Sequence, residues 1–148
     1  MKVKDVMTKE VKTISPDTPL RMVNQLLQKY NLSYLIAVDE KYEVKGMITY
    51  TDLFRLILPS YEEVMTKDCI WLFPERMEER VKDLVDKPVS KVMTRNVLTV
   101  GSDELVITTG AKMIARKVKQ MPVVENNKLV GVLTFHDILW QFLIVNRP

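Results

Sequence analysis

Gly46-Met47-Ile48-Thr49-Tyr50-Thr51-Asp52-Leu53 returns later in the chain as Gly131-Val132-Leu133-Thr134-Phe135-His136-Asp137-Ile138. Each copy reads as a glycine, a short apolar strand, and then Thr-x-x-Asp opening a helix. The carbonyl end of the strand and the amide end of the helix meet at the threonine. Backbone N–H groups without helical partners, a hydroxyl and a carboxylate therefore gather within a few ångströms. That junction is the best candidate in the chain for a small-molecule site. Thr-x-x-Asp is also a variant of the capping box, and duplication does not separate the two readings, because a cap would be duplicated with the rest.

Working outward, Val6-Met7-Thr8-Lys9-Glu10-Val11-Lys12-Thr13-Ile14 has a partner 86 positions on, in Val92-Met93-Thr94-Arg95-Asn96-Val97-Leu98-Thr99-Val100. Asp17 and Asp103 keep this offset, whereas Gly46 and Gly131 are 85 apart. One residue is missing from the second copy, in the stretch matching Asp39 to Gly46, where a hairpin turn tolerates it. The chain is an internal duplication with a unit of roughly 50 residues.

The periodicities within the unit are legible. After Ser15-Pro16-Asp17-Thr18-Pro19, apolar residues fall at Leu20, Val23, Leu26 and Leu27, which is helical spacing, with Pro19 near the first turn and Asp17 or Thr18 as cap. Val106, Met113 and Ile114 are expected to make the matching face, which Gly110 weakens slightly. Strands follow at 35–38 and 44–49, and again at 121–124 and 129–134, joined by the polar turns Asp39-Glu40-Lys41 and Glu125-Asn126-Asn127. Closing helices are expected over Leu53 to Leu58 and Ile138 to Val145. Each unit reads β-α-β-β-α, which is an α+β fold class. One such small sheet cannot bury both its faces, but two units packed together can. The division is repeat 1 over residues 1–58, a connector over 59–88 and repeat 2 over 89–148. The connector is expected to be largely helical, with Pro74 opening a helix whose apolar stripe is Met77, Val81, Leu84 and Val85, preceded by Trp71, Leu72 and Phe73. A connector packed on the core is the simpler reading, and a partner or dimer surface the other.

Composition sets the limits. The chain has 148 residues, 47% hydrophobic and 28% charged, as for a globular protein. Twenty-two basic and 19 acidic residues leave a net charge of +3, too balanced to argue for nucleic acid or membrane. No apolar run is long enough to span a bilayer, and Met1-Lys2-Val3-Lys4-Asp5 does not open a signal peptide, so a cytoplasmic protein is expected. The single Cys69 cannot form an internal disulfide. One cysteine and one histidine argue against a metal site, and no acid pair or Ser-His spacing suggests catalysis.

As a set, in order and twice over, these motifs resemble a tandem pair of cystathionine-β-synthase (CBS) domains, a Bateman module. Val-Met-Thr at each start, Val11 to Ile14 and Val97 to Val100, Met121-Pro122-Val123-Val124, and both Gly-x-x-Thr-x-x-Asp stretches carry the resemblance. It covers the chain apart from residues 59 to about 88. Ile36 departs from it, standing where Pro122 stands in the second unit. The resemblance implies a pseudo-twofold pair with a helical insertion, acting as a regulatory module and not as an enzyme. It also implies clefts that take an adenosine-containing ligand (AMP, ADP, ATP or S-adenosylmethionine), with no required cofactor.

The side chains suit such a ligand. Asp52 and Asp137 can accept hydrogen bonds from vicinal ribose hydroxyls, and Thr49 and Thr134, with the helix-start amides, suit a ribose or phosphate oxygen. In the resembling proteins the clefts are crossed. One cleft would combine Thr49 and Asp52 with Thr99, Val118 and Lys119, and with Met121 and Pro122. The other would combine Thr134 and Asp137 with Thr13, Leu32 and Ser33, and with Tyr34. Lys119, in the basic run with Arg116 and Lys117, suits a phosphate, while His136 is expected to face solvent. The apolar run Ile138, Leu139, Phe142, Leu143 and Val145 implies a homodimer, and an effector protein in trans is the expected target. A dimerisation and interaction scaffold without ligand is the alternative. Nucleic acid and membrane partners are not expected.

Overall fold

A computed structural model describes residues 1–66 and 74–145. In chain order the elements are α1 (Val3–Val6), β1 (Thr13–Ile14), α2 (Leu20–Lys29), β2 (Tyr34–Val38), β3 (Val44–Thr49), α3 (Tyr50–Ile57), α4 (Tyr61–Met65) and α5 (Pro74–Leu84). A 3-10 turn over Val89–Lys91 follows, then β4 (Val100–Gly101), α6 (Val106–Ala115), β5 (Gln120–Glu125), β6 (Lys128–Thr134), α7 (Phe135–Trp140) and a π-helical turn over Gln141–Val145. The strands form two three-stranded sheets of order β1-β2-β3 and β4-β5-β6. In the second, β4 runs parallel to β5, pairing Val100 with Val123, and β5 runs antiparallel to β6. Both sheets are β-α-β-β-α, as the duplication requires. Strands β2, β3, β5 and β6 agree with the spans expected from sequence to within one residue. The closing helices begin three residues earlier than expected, because Thr49 and Thr134 are themselves the N-caps.

The hairpins account for the change of offset. Asn126 and Asn127 adopt positive φ of 48° and 66°, a two-residue turn of the primed kind, which asparagine tolerates. The first hairpin is one residue longer. There Asp39 Oδ1 accepts from the N–H groups of Lys41 and Glu43 at 3.0 and 2.9 Å, and Tyr42 takes the positive φ of 65°.

By contact the chain forms two compact units, and neither coincides with a sequence repeat. Unit 1 comprises Met1–Thr13, Val38–Lys45 and the described residues from Asn96 onward; unit 2 comprises Ile14–Ala37 and the described part of Gly46–Arg95. The opening segment of each repeat therefore packs with the sheet of the other. In unit 1, Thr8 pairs with Val132 of β6 through N–H···O bonds of 2.9 Å in both directions. In unit 2, Thr94 pairs with Met47 of β3 in the same way, also at 2.9 Å. Each Val-Met-Thr segment thus covers an exposed strand edge, which would otherwise invite association.

The core of unit 1 is Val3, Val100, Met113, Met121, Val123 and Leu133, with Met7, Phe135 and Ile138 packed against it. That of unit 2 is Ile14, Leu20, Val23, Leu27, Leu35, Ala37, Ile48 and Val89, with Leu53, Leu84 and Met93 against it. Ile36, the departure from the resembling pattern, is buried without difficulty. Two local expectations are corrected. Neither Asp17 nor Thr18 caps α2; Pro19 is the N-cap, and the helix-start amides of Leu20 and Arg21 donate to the carbonyls of Lys87 and Val85, both at 3.0 Å. On α6 the buried face is Val106, Thr109 and Met113, with the Thr109 hydroxyl satisfied by Leu105 O at 3.0 Å. Ile114 lies one position past that face and is 71% exposed.

The connector is largely helical where described, in α4 and α5. Ser60 caps α4 in a capping box with Glu63. Val81, Leu84 and Val85 turn toward α2 and α3, where they help line an apolar cavity of about 510 Å³ within unit 2. This agrees with a connector packed on its own unit. Trp71, Leu72 and Phe73 lie outside the described residues.

An exposed ion cluster ties the N-terminal segment into unit 1. Lys4 and Lys2 donate to Asp103 Oδ1 at 2.8 and 2.9 Å. These hydrogen bonds, reinforced by the two positive charges, lower the Asp103 carboxyl from 3.8 to about 2. A carboxyl depressed in the folded state stabilises above its unfolded value, and that contribution is lost as pH falls from about 4 to about 2. All three side chains are exposed, the two lysines by just under half, so the effect is small and screened by salt. In melts followed by circular dichroism, Asp103→Asn should lose less stability than wild type between pH 4 and pH 2. The difference should shrink in 1 M salt.

Candidate functional site

Both Thr-x-x-Asp corners are built alike. In unit 2 the Thr49 N–H and hydroxyl both donate to Asp52 Oδ2, at 2.8 and 2.9 Å, and the Asp52 N–H donates to Thr49 Oγ1 at 3.3 Å. In unit 1 the Thr134 N–H and hydroxyl donate to Asp137 Oδ2 at 2.8 and 2.7 Å, and the Asp137 N–H returns to Thr134 Oγ1 at 3.1 Å. The capping boxes are thus real. The first amide of each helix is also used: Tyr50 N–H donates to Ser33 O, and Phe135 N–H to Lys119 O, both at 3.2 Å.

Capping does not exhaust the carboxylates. It engages Oδ2 and locks the side chain, leaving Oδ1 outside the cap. A threonine hydroxyl that donates to its aspartate and accepts from an amide keeps one lone pair only. It can accept from a ribose hydroxyl, but its proton is not available to a phosphate oxygen. Each corner therefore offers acceptors in a fixed array, the complement of a vicinal diol.

The two corners differ at Oδ1. Thr8 Oγ1 donates to Asp137 Oδ1 at 3.2 Å. Asp52 Oδ1 instead has Arg55 Nη1 at 3.9 Å, an ion pair without a hydrogen bond. Neither Thr8 nor Arg55 is among the site residues expected from sequence. The signal for Thr8 was its place in the Val-Met-Thr repeat, and for Arg55 its spacing one helical turn after Asp52.

The other expected residues fall as follows. Ser33 adjoins the Thr49 corner through its carbonyl, with the half-buried Leu32 and Tyr34 on either side of it in sequence. Lys119 adjoins the Thr134 corner in the same way; its side chain is exposed, and Val118 is half-buried against the core. Gln120 pairs with Thr134, Met121 with Leu133 and Pro122 with Val132. Met121 is fully buried in the core of unit 1, so its side chain presents no surface to a ligand. Pro122 is buried, Thr13 is half-buried in β1, and Thr99 is exposed just before β4. Each corner thus contacts the strand start of its own repeat, and in unit 1 it also contacts the opening segment of the other repeat. His136 is exposed, with its ring edge-on to Trp140 at 6.2 Å between centroids. No group of three or more His, Cys, Asp or Glu side chains suited to a metal occurs among the described residues.

The family model described as CBS domain matches residues 3–59 and 89–143. A CBS domain-containing protein of Dictyostelium discoideum is 30% identical over 147 residues, covering 99% of this chain and 94% of its own. An inosine-5′-monophosphate dehydrogenase of Methanocaldococcus jannaschii is 27% identical over 139 residues, which are 93% of this chain but 23% of the dehydrogenase. The chain thus spans less than a quarter of that relative. Among solved structures, a CBS domain pair in complex with 5′-methylthioadenosine and S-adenosyl-L-methionine matches with a TM-score of 0.70 at 26% identity, covering 96% of this chain and 95% of the other. The structure of CBSX2 in complex with AMP matches with a TM-score of 0.77 at 21% identity, covering 99% and 98%.

Proposed function

The chain belongs to the CBS domain family, and from that premise we propose that it is a regulatory module that senses an adenosine-containing molecule. Asp52 and Asp137 accept the ribose hydroxyls, and Thr49 and Thr134 complete the two acceptor arrays. The observation that carries this reading is the geometry of the carboxylates: each is locked by its cap through Oδ2, with Oδ1 left outside the cap. A related CBS pair at 26% identity is described with two adenosyl ligands, which supports the same ligand class. The module carries no catalytic step of its own and acts through an effector protein in trans. The cytoplasm is its proposed setting. No helix among the described residues is long and apolar enough to cross a membrane.

A calorimetric screen of AMP, ADP, ATP and S-adenosylmethionine, with melts in parallel, tests the proposal. At least one compound should give saturable heat and raise stability, by about 2.7 kcal/mol at a hundred times its dissociation constant. No heat and no shift with any of them would overturn it.

A second reading, the scaffold that binds no ligand, is favoured by the apolar helix surface of unit 1. Leu139, Trp140 and Leu143 are 55%, 55% and 58% exposed, which is uncommon for a contiguous patch on a monomer. Under both readings we propose a symmetric homodimer that covers this surface. Sedimentation should show a dimer at micromolar concentration. A monomer with no dependence on concentration is the contrary result.

A further inference from the structure

The duplication puts the same helix face in the chain twice, once covered and once bare. In unit 2 the apolar cavity under α5 is lined from α2 by Arg21, Asn24, Gln25 and Gln28, and from α3 by Leu53, Phe54 and Ile57. Val81, Leu84 and Val85 of the connector line its other side. The end of the connector helix is fixed there by several contacts. The Arg21 N–H donates to Val85 O at 3.0 Å, the Arg21 guanidinium pairs with Asp86, and Leu84 packs on the core of unit 2.

The repeat offsets of 86 and 85 carry the α2 positions to Ile107, Gly110, Ala111 and Ile114 on α6, and the α3 positions to Ile138, Leu139 and Phe142. These make one surface in unit 1, because α6 meets α7 at Gly110, where a Cβ would stand 3.4 Å from Ile138 Cδ1. No counterpart of α5 occurs among the described residues of unit 1. Ile107 and Ile114 are 73% and 71% exposed, and Leu139 is exposed with them. The chemistry of the helix row changes with the cover. One cation and three amides on α2 stand where α6 has two isoleucines, a glycine and an alanine.

We infer that the α6–α7 face is the self-association surface of the chain, seated against the same face of a second copy, and that α5 is an internal cover that keeps the equivalent α2–α3 face out of the contact. This rests on the homodimer proposed above and names the face that makes it. In a twofold contact a surface meets itself. The seven positions of unit 1 hold no charged side chain, so two copies bring no like charges together and bury apolar surface on both sides. The same contact through unit 2 would have to displace α5 and take Arg21 and Asp86 out of water, which costs more than the ion pair returns. The connector thus makes the dimer one-sided.

Matched substitutions make the test. Ile114→Asp and Leu139→Asp in unit 1 are compared with Gln28→Asp and Phe54→Asp at the equivalent positions of unit 2. Sedimentation is run over a range of concentrations, with melts to confirm folding. Each unit 1 substitution should weaken the dimer by about a hundredfold or more, since it closes an unpaired charge into an apolar contact. The unit 2 substitutions should leave the dimer nearly unchanged. Val81→Asp is placed to unseat α5, with Val81→Ser as the milder variant if the aspartate melts the fold. Added to Leu139→Asp, it should restore concentration-dependent association, and Phe54→Asp should abolish that association again. Equal effects in the two units, large or absent, overturn the one-sided assignment and leave the homodimer standing. A folded Val81→Asp, Leu139→Asp protein that stays monomeric, or that associates regardless of Phe54→Asp, overturns α5 as the cover. A wild type that is monomeric at every concentration removes the homodimer and takes the inference with it.

Discussion

Asp52→Ala and Asp137→Ala should each weaken binding of the adenosine ligand at its own corner by about ten- to hundredfold, with only a small loss of stability. A hydrogen bond to a carboxylate contributes about 1.5–3 kcal/mol when its partner is lost, which is that range of affinity. The cap has a separate cost. Each aspartate Oδ2 accepts the N–H and hydroxyl of its own threonine, and removing a cap costs about 1 kcal/mol of stability. Affinity and stability thus respond on different axes. The sugar decides between them. Against wild type, a 2′-deoxyribonucleotide should bind more weakly than its ribonucleotide, because one donor to the carboxylate is gone. Against the double mutant the two sugars should bind alike. Calorimetry on the four proteins with both sugars, with melts alongside, gives the answer. If every protein treats both sugars identically and only the melting temperature falls, the two acids are caps and nothing more.

Gly131→Ala should destabilise the fold by about 1–3 kcal/mol, lowering the melting temperature by roughly 3–10 °C. A Cβ at this position would stand 2.6 Å from Met7 Sδ and 3.0 Å from the carbonyl oxygen of Thr8. The thioether could swing away, but the carbonyl cannot. Thr8 is bonded to Val132 in both directions at 2.9 Å, so relieving the clash breaks the ladder that holds the N-terminal segment. The same shift would draw the Thr8 hydroxyl off Asp137. Gly46→Ala should cost less. There the three atoms nearest the new methyl all belong to the flexible Met93 side chain, with Cγ and Cε at 2.7 Å, and none is a backbone atom. A double-mutant cycle with Met7→Ala separates sterics from other causes: the pair should be less destabilised than the sum of the singles. A Gly131→Ala protein that melts within a degree of wild type would remove this account of the glycine.

The local architecture was open to a reading of residues alone. Short apolar runs and helical spacings lie within a single element, and the forces behind them, burial of a strand and of one stripe of a helix, act between near neighbours. The duplication doubled each weak signal. Thr49, Asp52, Thr134 and Asp137 could be picked out because a cap is defined over four consecutive positions. Where local reading missed, a distant group had replaced a near one. Pro19 begins α2 without a side-chain cap because carbonyls of Val85 and Lys87 serve its amides, more than 60 positions away.

What tertiary structure alone decided is the exchange of opening segments between the repeats. Val6-Met7-Thr8 and Val92-Met93-Thr94 are the same sequence, and each could pair with either strand edge on local grounds, since unpaired N–H and C=O groups look alike on both. Only the packed fold places Met7 against Gly131 and Met93 against Gly46, and thereby shows why those glycines stand ahead of the threonines. The same exchange brings Thr8 to Asp137 across 129 positions of chain. A contact of that separation has no period and no neighbouring residues to announce it. It exists because the strand edge of β6 must be covered and the N-terminal segment is what covers it.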